Sequence, residues 1–477
     1  MRGSGILLHI TSLPSPFGIG TLGRSAYDFA DFLEKSGQRY WQILPVGHTG
    51  FGDSPYQAFS AFAGNPYMID LDLLCEKELL RPEEYVDIDW GEKSRQVDYG
   101  KIFRNRTAVL RNVAQRFKKT EAFELFCSEN AFWLEDYSVF MSLKERFSGR
   151  PFFEWKKPYP DPDKKECDFW KILQFIFYSQ WYDLKKYVNS KGIQIIGDLP
   201  IYVAHDSSDV MGNPELFELD LNGNPVSVAG VPPDGFSPRG QLWGNPVFDW
   251  NYMRRNGYRW WIKRISHSMK LFDRIRIDHF RGFSSYYSVP SGNTDAVNGF
   301  WRAGPSSELF EAIESEIGKV NIIAEDLGFI DNGVRDLMKK TGFPGMKILQ
   351  FAFDSREGSD YLPHNYGKNC VVYIGTHDND TLAGWFDNAP EKDVEFAKKY
   401  LRLSNGEGMI DGVIKSAMAS VGETVIFTMQ DLLGLGSAAR MNTPSQPCGN
   451  WRWRALKSDF SPALAEKLLS LTRLYGR

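Results

Sequence analysis

Five short segments of this 477-residue chain share one pattern: an apolar run ends in polar residues of the kinds found in active sites. They are residues 195–200 (Ile-Ile-Gly-Asp-Leu-Pro), 276–282 (Arg-Ile-Asp-His-Phe-Arg-Gly), 324–328 (Ala-Glu-Asp-Leu-Gly), 375–379 (Gly-Thr-His-Asp-Asn) and 428–431 (Thr-Met-Gln-Asp). A strand buried on both faces, as in a parallel sheet, is a continuous apolar run. The carboxyl ends of parallel strands in a barrel meet at one rim. The pattern therefore predicts a site built from carboxylates at one rim of a parallel barrel.

Eight apolar runs have the character of buried strands, at residues 6–10, 41–46, 193–198, 272–279, 321–325, 346–353, 371–376 and 424–429. Helical periodicity lies between most of them, at residues 25–37, 173–189, 261–269, 305–318, 331–341 and 391–420, and a last helix is expected at 463–474. Eight strands that alternate with helices indicate an α/β fold of the (β/α)8 TIM-barrel type. A doubly wound open sheet also alternates strands with helices and is the competing architecture.

Two connections between the predicted strands are too long to be simple helices. Residues 47–192 separate the second and third strands, and residues 199–271 separate the third and fourth. Because structureless loops of that length are uncommon in compact domains, both connections are expected to carry inserted subdomains. Residues 1–477 are therefore interpreted as one catalytic barrel with large insertions at its rim.

Composition excludes several classes of function. A net charge of −4 provides no broad basic field, so nucleic acid and anionic membranes are poor candidates for partners. No stretch approaches the roughly 18 apolar residues of a membrane helix. The five cysteines are scattered and include no Cys-x-x-Cys pair, which indicates neither a zinc site nor a disulfide framework. Free thiols of this kind are typical of a reducing compartment, so a cytoplasmic location is expected.

The fourth and fifth runs end in acids with different surroundings. Arg276 and Asp278 point to the same face of a strand, and a neighbouring guanidinium favours the ionised carboxylate and lowers its pKa. Asp278 is therefore suited to be a nucleophile or a charge stabiliser, although a structural salt bridge explains the pair equally well. Glu325 ends a buried run, where desolvation raises the pKa as a general acid requires. Asp326 faces the other way and is better suited to capping a helix.

His377, Asp378 and Asn379 end the seventh run, where they can hydrogen-bond to hydroxyl groups. No His-x-x-His or His-Glu-x-x-His spacing supports a metal, and no Gly-x-Ser-x-Gly sequence supports a serine hydrolase. Asp198 ends the third run as a fourth acid, with a structural or a functional role. Three acids on one rim indicate glycosidic bond chemistry, which needs one carboxylate as nucleophile or base and one carboxylic acid to protonate the leaving oxygen.

Residues 18–23 (Gly-Ile-Gly-Thr-Leu-Gly) match the dinucleotide-binding pattern G-x-G-x-x-G. Residues 11–16, Thr-Ser-Leu-Pro-Ser-Pro, separate this segment from the preceding apolar run, so the tight strand-to-helix turn is missing. The next run ends in Val46, Gly47 and His48, with no acid placed for a ribose. A nucleotide-binding role is therefore not favoured.

Over essentially its full length the chain resembles the 4-α-glucanotransferases, also called amylomaltases or disproportionating enzymes, of the α-amylase clan. Short fragments such as His-Asp-Asn are weak by themselves, whereas the ordered set is specific. The resemblance rests on segments 9–16 (His-Ile-Thr-Ser-Leu-Pro-Ser-Pro), 52–57 (Gly-Asp-Ser-Pro-Tyr-Gln), 198–203 (Asp-Leu-Pro-Ile-Tyr-Val), 230–234 (Gly-Val-Pro-Pro-Asp), 241–246 (Gln-Leu-Trp-Gly-Asn-Pro), 276–282, 324–328, 377–379 and 440–442 (Arg-Met-Asn).

The resemblance implies a role for each matching residue. Asp278 is expected to be the nucleophile that forms a covalent glycosyl intermediate, Glu325 the general acid and base, and Asp378 the third carboxylate, which binds the distorted sugar. The expected substrate-binding residues are Arg276 and His377 as partners of the acids, Tyr56 and Trp243 as aromatic contacts along the glucan, and Ser54, Asp198, Gln241 and Asn245 as polar contacts.

The resemblance also implies a barrel with inserted subdomains, no cofactor and no metal. The expected reaction is transfer of α-1,4-glucan segments between maltooligosaccharides or to glucose with retention of configuration. Residues 230–246, rich in Gly and Pro, are expected to form a lid that excludes water, and Gly235 replaces a larger residue of the family there. An α-amylase-type hydrolase of α-1,4-glucans is the main alternative. A non-catalytic glucan-binding protein is a second, although such proteins usually lose one of the acids.

Overall fold

Eight parallel strands form the centre of the molecule. The structure is a computed structural model, and it describes residues 2–50, 52–91, 94–233, 237–328, 330–356, 358–404, 406, 408–446 and 448–477. Twelve strands are present in these residues: β1 (Gly3–Leu7), β2 (Tyr40–Gln42), β3 (Gln194–Leu199), β4 (Ser227–Val231), β5 (Gln241–Pro246), β6 (Arg274–Ile277), β7 (Ser285–Pro290), β8 (Phe300–Ala303), β9 (Ile322–Ala324), β10 (Gly345–Ile348), β11 (Cys370–Tyr373) and β12 (Thr424–Thr428).

Sixteen α-helices occur in the same residues: α1 (Arg24–Lys35), α2 (Leu71–Glu76), α3 (Tyr99–Arg116), α4 (Glu121–Glu129), α5 (Ala131–Arg146), α6 (Lys164–Ser190), α7 (Ser208–Gly212), α8 (Trp250–Arg255), α9 (Arg259–Leu271), α10 (Ser307–Ile317), α11 (Asn332–Thr341), α12 (Leu382–Asn388), α13 (Glu391–Leu401), α14 (Met409–Ala419), α15 (Met429–Leu432) and α16 (Pro462–Tyr475). All the predicted helical segments overlap with these helices. In the described part of the chain, no helix is long and apolar enough to cross a membrane.

The central sheet has the strand order β10-β11-β12-β1-β2-β3-β6-β9, and its neighbouring strands pair in parallel. Its two ends meet, because the Ala324 N–H donates a hydrogen bond to the Pro344 carbonyl at 2.9 Å. The predicted (β/α)8 barrel is therefore confirmed, and the doubly wound open sheet is excluded. Each of the eight predicted runs overlaps a barrel strand, because strands buried on both faces must be apolar throughout.

Asp326 holds the same seam between β9 and β10. Its Oδ1 accepts a hydrogen bond from the Met346 N–H at 2.7 Å. The expectation that Asp326 caps a helix is therefore wrong, and the cap of α11 is Asp331, whose Oδ1 accepts from the Val334 N–H at 3.0 Å. The Asp326 side chain therefore adds a hydrogen bond between the ends of the sheet, where the backbone pairing of β9 with β10 is short.

Both long connections carry secondary structure. Helices α2 to α6 lie between β2 and β3, and α7, β4, β5, α8 and α9 lie between β3 and β6. A four-stranded antiparallel sheet has the order β5-β4-β7-β8, so it also uses two strands that come after β6 and that sequence analysis missed. The domain boundaries predicted at 47–192 and 199–271 stay a prediction.

Local sequence accounts for element ends and close packing. The Ser461 hydroxyl accepts from the Leu464 N–H at 3.3 Å at the start of α16, Pro462 is its first residue, and Gly476 ends it with φ at 61°. In the segment 18–23, a Cβ on Gly20 would lie 1.8 Å from the Ile10 carbonyl oxygen. That glycine therefore permits close packing against the turn that follows β1.

Candidate active site

Arg276 lies between two carboxylates at the carboxyl rim of the barrel. It is paired with Asp198 on the neighbouring strand β3, and its Nη1 lies 2.8 and 2.7 Å from the two Asp198 carboxylate oxygens. Its Nη2 lies 3.0 Å from the Asp278 Oδ1, as expected from the alternation of side chains along β6. Arg276 is 3% exposed and Asp198 is fully buried at its side chain, so the three charges form a fixed unit.

Tyr56 connects this unit to His377, which follows the seventh barrel strand, β11. Its hydroxyl donates to the Asp198 Oδ2 at 2.9 Å and lies 2.9 Å from the His377 Nε2. The two rings stack with centroids 5.3 Å apart and planes at 16°. Burial lowers the pKa of His377, so the ring is neutral with a single N–H. Because the tyrosine proton goes to the carboxylate, we assign that N–H to Nε2.

Asp378 is held by residues that follow β12. Its Oδ1 accepts from the Asn442 side-chain amide at 2.6 Å, and its Oδ2 lies 3.3 Å from the His377 Nε2. The Arg440 guanidinium donates to the Asp378 carbonyl at 2.5 Å and to the Asn442 carbonyl at 2.7 Å. The third carboxylate is therefore oriented from both sides, while its side chain keeps 42% of its surface exposed.

Glu325 is joined to Asp278 through the backbone of the segment after β6. Its Oε2 accepts from the His279 N–H at 2.5 Å and its Oε1 from the Leu327 N–H at 3.3 Å. His279 has φ at 51°, a left-handed conformation that is uncommon outside glycine. This turn directs its N–H at the carboxylate and places residues 278 and 325 at one point of the rim. The predicted convergence of the three acids is found.

Burial dominates the electrostatics of the two inner acids. It raises the pKa of Asp278 to about 7, with Arg276 opposing the rise and Asp198 and Asp378 adding to it. It raises the pKa of Glu325 to about 8, with Asp278 adding to the rise. The expectation that Arg276 leaves Asp278 with a lowered pKa is therefore wrong, because desolvation outweighs the guanidinium. Of the two, Asp278 is in contact with the Arg276 guanidinium, which favours its ionised form.

The other predicted contacts lie beside this network. On β5, the Trp243 ring stands perpendicular to the His279 ring at 4.8 Å, and its Nε1 donates to the Gln241 Oε1 at 3.2 Å. Asn245 is 5% exposed, and its amide donates to the Val203 carbonyl at 2.8 Å. The Ser54 hydroxyl accepts from the Tyr56 N–H at 3.3 Å. Trp243 and Gln241 therefore remain available to a ligand, whereas Asn245 and Ser54 mainly support neighbouring segments.

Asp198 was expected to bind substrate hydroxyls, but its carboxylate oxygens are already engaged. Both of its oxygens are engaged by Arg276 and Tyr56, and its side chain has no exposed surface. In this arrangement it acts on a bound sugar only through those two side chains. Asp234 and Gly235, in the expected lid, lie outside the described residues. The rest of that segment contributes to the antiparallel pair β4 and β5.

Sequence reasoning assigned no role to Arg440, Asn442, His279 or Trp451. The Trp451 ring lies 5.7 Å from Tyr56 and 5.9 Å from His377, so it closes the aromatic group around the histidine. The segment 440–442 is visible as a motif in the sequence, but nothing in it indicates which acid it approaches. Among the described residues, no group of three or more His, Cys, Asp or Glu side chains is arranged to hold a metal ion.

Comparison with known proteins places this geometry in a family. A family model described as 4-alpha-glucanotransferase matches residues 8–458. The 4-alpha-glucanotransferase of Clostridium butyricum is 50% identical over 485 residues, which cover 98% of this chain and 100% of that protein. That of Thermus thermophilus is 44% identical over 500 residues, covering 100% of this chain and 99% of that protein.

A solved structure extends the likeness to the fold. The amylomaltase from Streptococcus agalactiae in complex with acarbose superposes with a TM-score of 0.96 at 42% sequence identity, covering 100% of both chains. The sequence resemblance is therefore confirmed by a family model, by curated relatives and by a structure. This chain belongs to the 4-alpha-glucanotransferase family.

Proposed function

We propose that Asp278 is the nucleophile, Glu325 the general acid and base, and Asp378 the carboxylate that binds the reacting sugar in a retaining 4-α-glucanotransferase. The enzyme transfers α-1,4-glucan segments between maltooligosaccharides or to glucose. The observation that carries this assignment is the continuous contact chain from Asp278 through Arg276, Asp198, Tyr56 and His377 to Asp378.

In the first step, the ionised Asp278 carboxylate attacks the anomeric carbon of the donor glucan. The bond from that carbon to the leaving O4 breaks, and Glu325 gives its proton to that oxygen. The product is a glycosyl ester of Asp278 and a shortened glucan with a new 4-hydroxyl. Burial raises the pKa of Glu325, which suits it to hold the proton, while the contact with Arg276 favours the ionised form of Asp278.

In the second step, the 4-hydroxyl of an acceptor sugar attacks the same carbon and releases Asp278. Glu325, now ionised, takes the hydroxyl proton and returns to its starting state. Asp378, held by Asn442, accepts hydrogen bonds from hydroxyls of the reacting sugar. Trp243 beside His279 supplies an aromatic surface for the glucan, and aromatic faces pack well against the apolar faces of sugars.

Each transfer breaks one glycosidic bond and forms one, so the number of reducing ends stays constant. With maltotriose as the only substrate, we expect glucose and a ladder of longer maltooligosaccharides, resolved by chromatography. A stoichiometric rise in reducing ends would instead identify an α-amylase-type hydrolase. An absence of turnover, with binding retained, would identify a glucan-binding protein.

Asp278→Asn is the matched control for this experiment. The substitution keeps the size of the side chain and removes the nucleophile, so turnover is expected to fall by about 10,000-fold or more, with a wild-type circular dichroism spectrum. Substantial activity in this variant would remove Asp278 as the nucleophile. The cytoplasmic location, and the expectation that neither a cofactor nor nucleic acid is involved, stay predictions.

A further inference from the structure

His9 lies just after β1, at the start of the sequence motif 9–16, and takes no part in the contact chain from Asp278 to Asp378. Its side chain is 4% exposed. Buried polar groups are nearly always hydrogen-bonded, because leaving them unpaired away from water costs free energy. The groups that its two ring nitrogens meet therefore indicate what His9 does.

One of these groups fixes the tautomer of His9. The Leu44 N–H donates to the His9 Nδ1 at 3.2 Å, so this nitrogen is an acceptor and carries no proton. Burial lowers the pKa of His9 to about 3, and His377 adds to the lowering. The ring is therefore neutral, with a single N–H. Its proton lies on Nε2, which is a donor.

A recess at the carboxyl ends of β1, β2, β11 and β12 brings His9 and His377 into one wall. It has a volume of about 410 Å³, and Thr428 and Gln430 add polar groups to its lining. We call it the inner recess. A buried water needs two to four polar partners and takes up about 30 Å³. The inner recess meets both conditions.

His377 has a requirement that complements the donor on His9. Its Nε2–H lies 2.9 Å from the Tyr56 hydroxyl and 3.3 Å from the Asp378 Oδ2, which leaves Nδ1 as an acceptor. If the proton moved to Nδ1, the lone pair of Nε2 would face the Asp378 carboxylate, and that carboxylate would lose a donor. A hydrogen bond given to Nδ1 therefore favours the tautomer that supports Asp378.

We propose that His9 is a positioning residue for Asp378: its Nε2–H donates to a water in the inner recess, and that water donates to the His377 Nδ1. A water that accepts from His9 keeps both of its own hydrogens free to donate. The relay holds the His377 proton on Nε2, beside Asp378. The proposal rests on the proposed function, in which Asp378 binds the reacting sugar.

Asparagine and glutamine at position 9 separate the tasks of the two ring nitrogens. In His9→Asn, the amide oxygen replaces Nδ1 as the acceptor for Leu44, but no group reaches the place of Nε2. In His9→Gln, the longer side chain brings an amide donor to the place of Nε2, but the Leu44 N–H loses its acceptor.

We expect kcat/KM for maltotriose to fall about 5- to 10-fold in His9→Asn, as the loss of one hydrogen bond predicts, and to stay within about twofold of the wild type in His9→Gln. The melting temperature should follow the opposite order, with His9→Gln the less stable of the two. Wild-type activity in His9→Asn together with impaired activity in His9→Gln would overturn the proposal, because His9 would then act only through Leu44.

The ring ¹⁵N chemical shifts give a readout that a purely structural role would not change, because they distinguish protonated from unprotonated nitrogens. The chain has seven histidines, and comparison with His377→Gln assigns the signals of His377. In the wild type we expect the proton on Nε2 of both His9 and His377, and a proton on Nδ1 of either ring would overturn the proposal. The His377 Nδ1 signal should shift in His9→Asn, and an unchanged signal would also overturn it.

His267→Asn is the matched control. His267 is another buried histidine, 6% exposed, with a pKa that burial lowers to about 4, and its Nε2 lies 2.7 Å from the Tyr178 hydroxyl, away from the inner recess. This substitution should leave the His377 signals unchanged, and a shift equal to that in His9→Asn would contradict a specific relay. Failure of the proposed function is separate, since it would appear as missing maltotriose disproportionation in the wild type, on which the chemical shifts do not depend.

Discussion

At the scale of single residues, Arg276 decides how charge is distributed in the cleft. Its guanidinium contacts Asp198 with one nitrogen and Asp278 with another, so one cation serves two carboxylates. The buried Asp198 takes the closer contacts, and Asp278 keeps a pKa raised by desolvation. The site thus holds two carboxyl groups, Asp278 and Glu325, whose pKa values burial raises, and the Arg276 contact favours the ionised form of Asp278.

We predict a bell-shaped dependence of kcat/KM on pH for maltotriose. As pH rises through about 7, Asp278 becomes ionised and activity increases, and as pH rises through about 8, Glu325 loses its proton and activity falls. The two limbs report apparent values of the coupled pair. Initial rates between pH 5 and 10 measure both limbs.

A donor with fluoride as its leaving group provides the control for this profile. Fluoride departs without protonation, so the basic limb should be absent from kcat/KM for α-maltosyl fluoride while the acidic limb remains. A basic limb of the same size with both donors would show that Glu325 is not the general acid.

Asn442 is predicted to orient Asp378. Asn442→Ala removes the donor 2.6 Å from the Asp378 Oδ1, and a hydrogen bond to a charged group contributes about 1.5–3 kcal/mol. We therefore expect kcat/KM to fall roughly 10- to 100-fold with an unchanged melting temperature. Activity within twofold of the wild type would mean that Arg440 and His377 suffice to hold the carboxylate.

At the scale of elements, the barrel strands are readable from sequence because burial on both faces makes each strand a continuous apolar run. The strands of the antiparallel sheet were harder to predict from the sequence. Strand β8 has mostly exposed residues, and β7 and β8 lie in a connection that seemed to carry only one helix. Sequence analysis also did not predict that the Asp326 carboxylate reinforces the short pairing between β9 and β10.

Asp326→Ala is predicted to weaken this seam. The substitution leaves the Met346 N–H without its acceptor, and an unsatisfied buried donor costs about 1–3 kcal/mol. The melting temperature should fall, and kcat/KM should fall with it because Glu325 is the adjacent residue. Asp326→Asn retains an oxygen acceptor and is the control. Equal melting temperatures for wild type and Asp326→Ala would show that the seam does not depend on this bond.

At the scale of the whole molecule, the two rims of the barrel have different tasks. The carboxyl rim holds the acids, whereas Arg477, which follows α16, lies near the start of β12 at the opposite rim. Its guanidinium donates to the carbonyls of Met418 at 2.8 Å, Ser420 at 2.9 Å and Gly422 at 3.0 Å. It is 6% exposed, so these bonds join α16 to the segment before β12 in a buried position.

Arg477→Ala is predicted to lower the melting temperature and to leave kcat/KM of the folded enzyme unchanged. Removing the buried guanidinium takes away the donor 3.0 Å from the Gly422 carbonyl, whereas the Met418 and Ser420 carbonyls still accept from the Arg2 guanidinium. A buried acceptor that loses its donor costs about 1–3 kcal/mol. Lys467→Ala is the control, because Lys467 lies on the same helix and pairs with Asp411 while 42% exposed. Exposed ion pairs contribute about 0–1 kcal/mol. A smaller loss in Arg477→Ala than in Lys467→Ala would contradict this role.

The sequence by itself determined the eight strands, their alternation with helices and the three acids, because buried parallel strands are uniformly apolar and an acid at the end of a run is conspicuous. The tertiary structure alone decided which groups these acids meet. Tyr56 reaches His377 across 321 residues of sequence, and Asn442 reaches Asp378 across 64. It also reversed the expected shift in the pKa of Asp278, because desolvation depends on everything packed around a carboxylate and not only on the charge beside it in the chain.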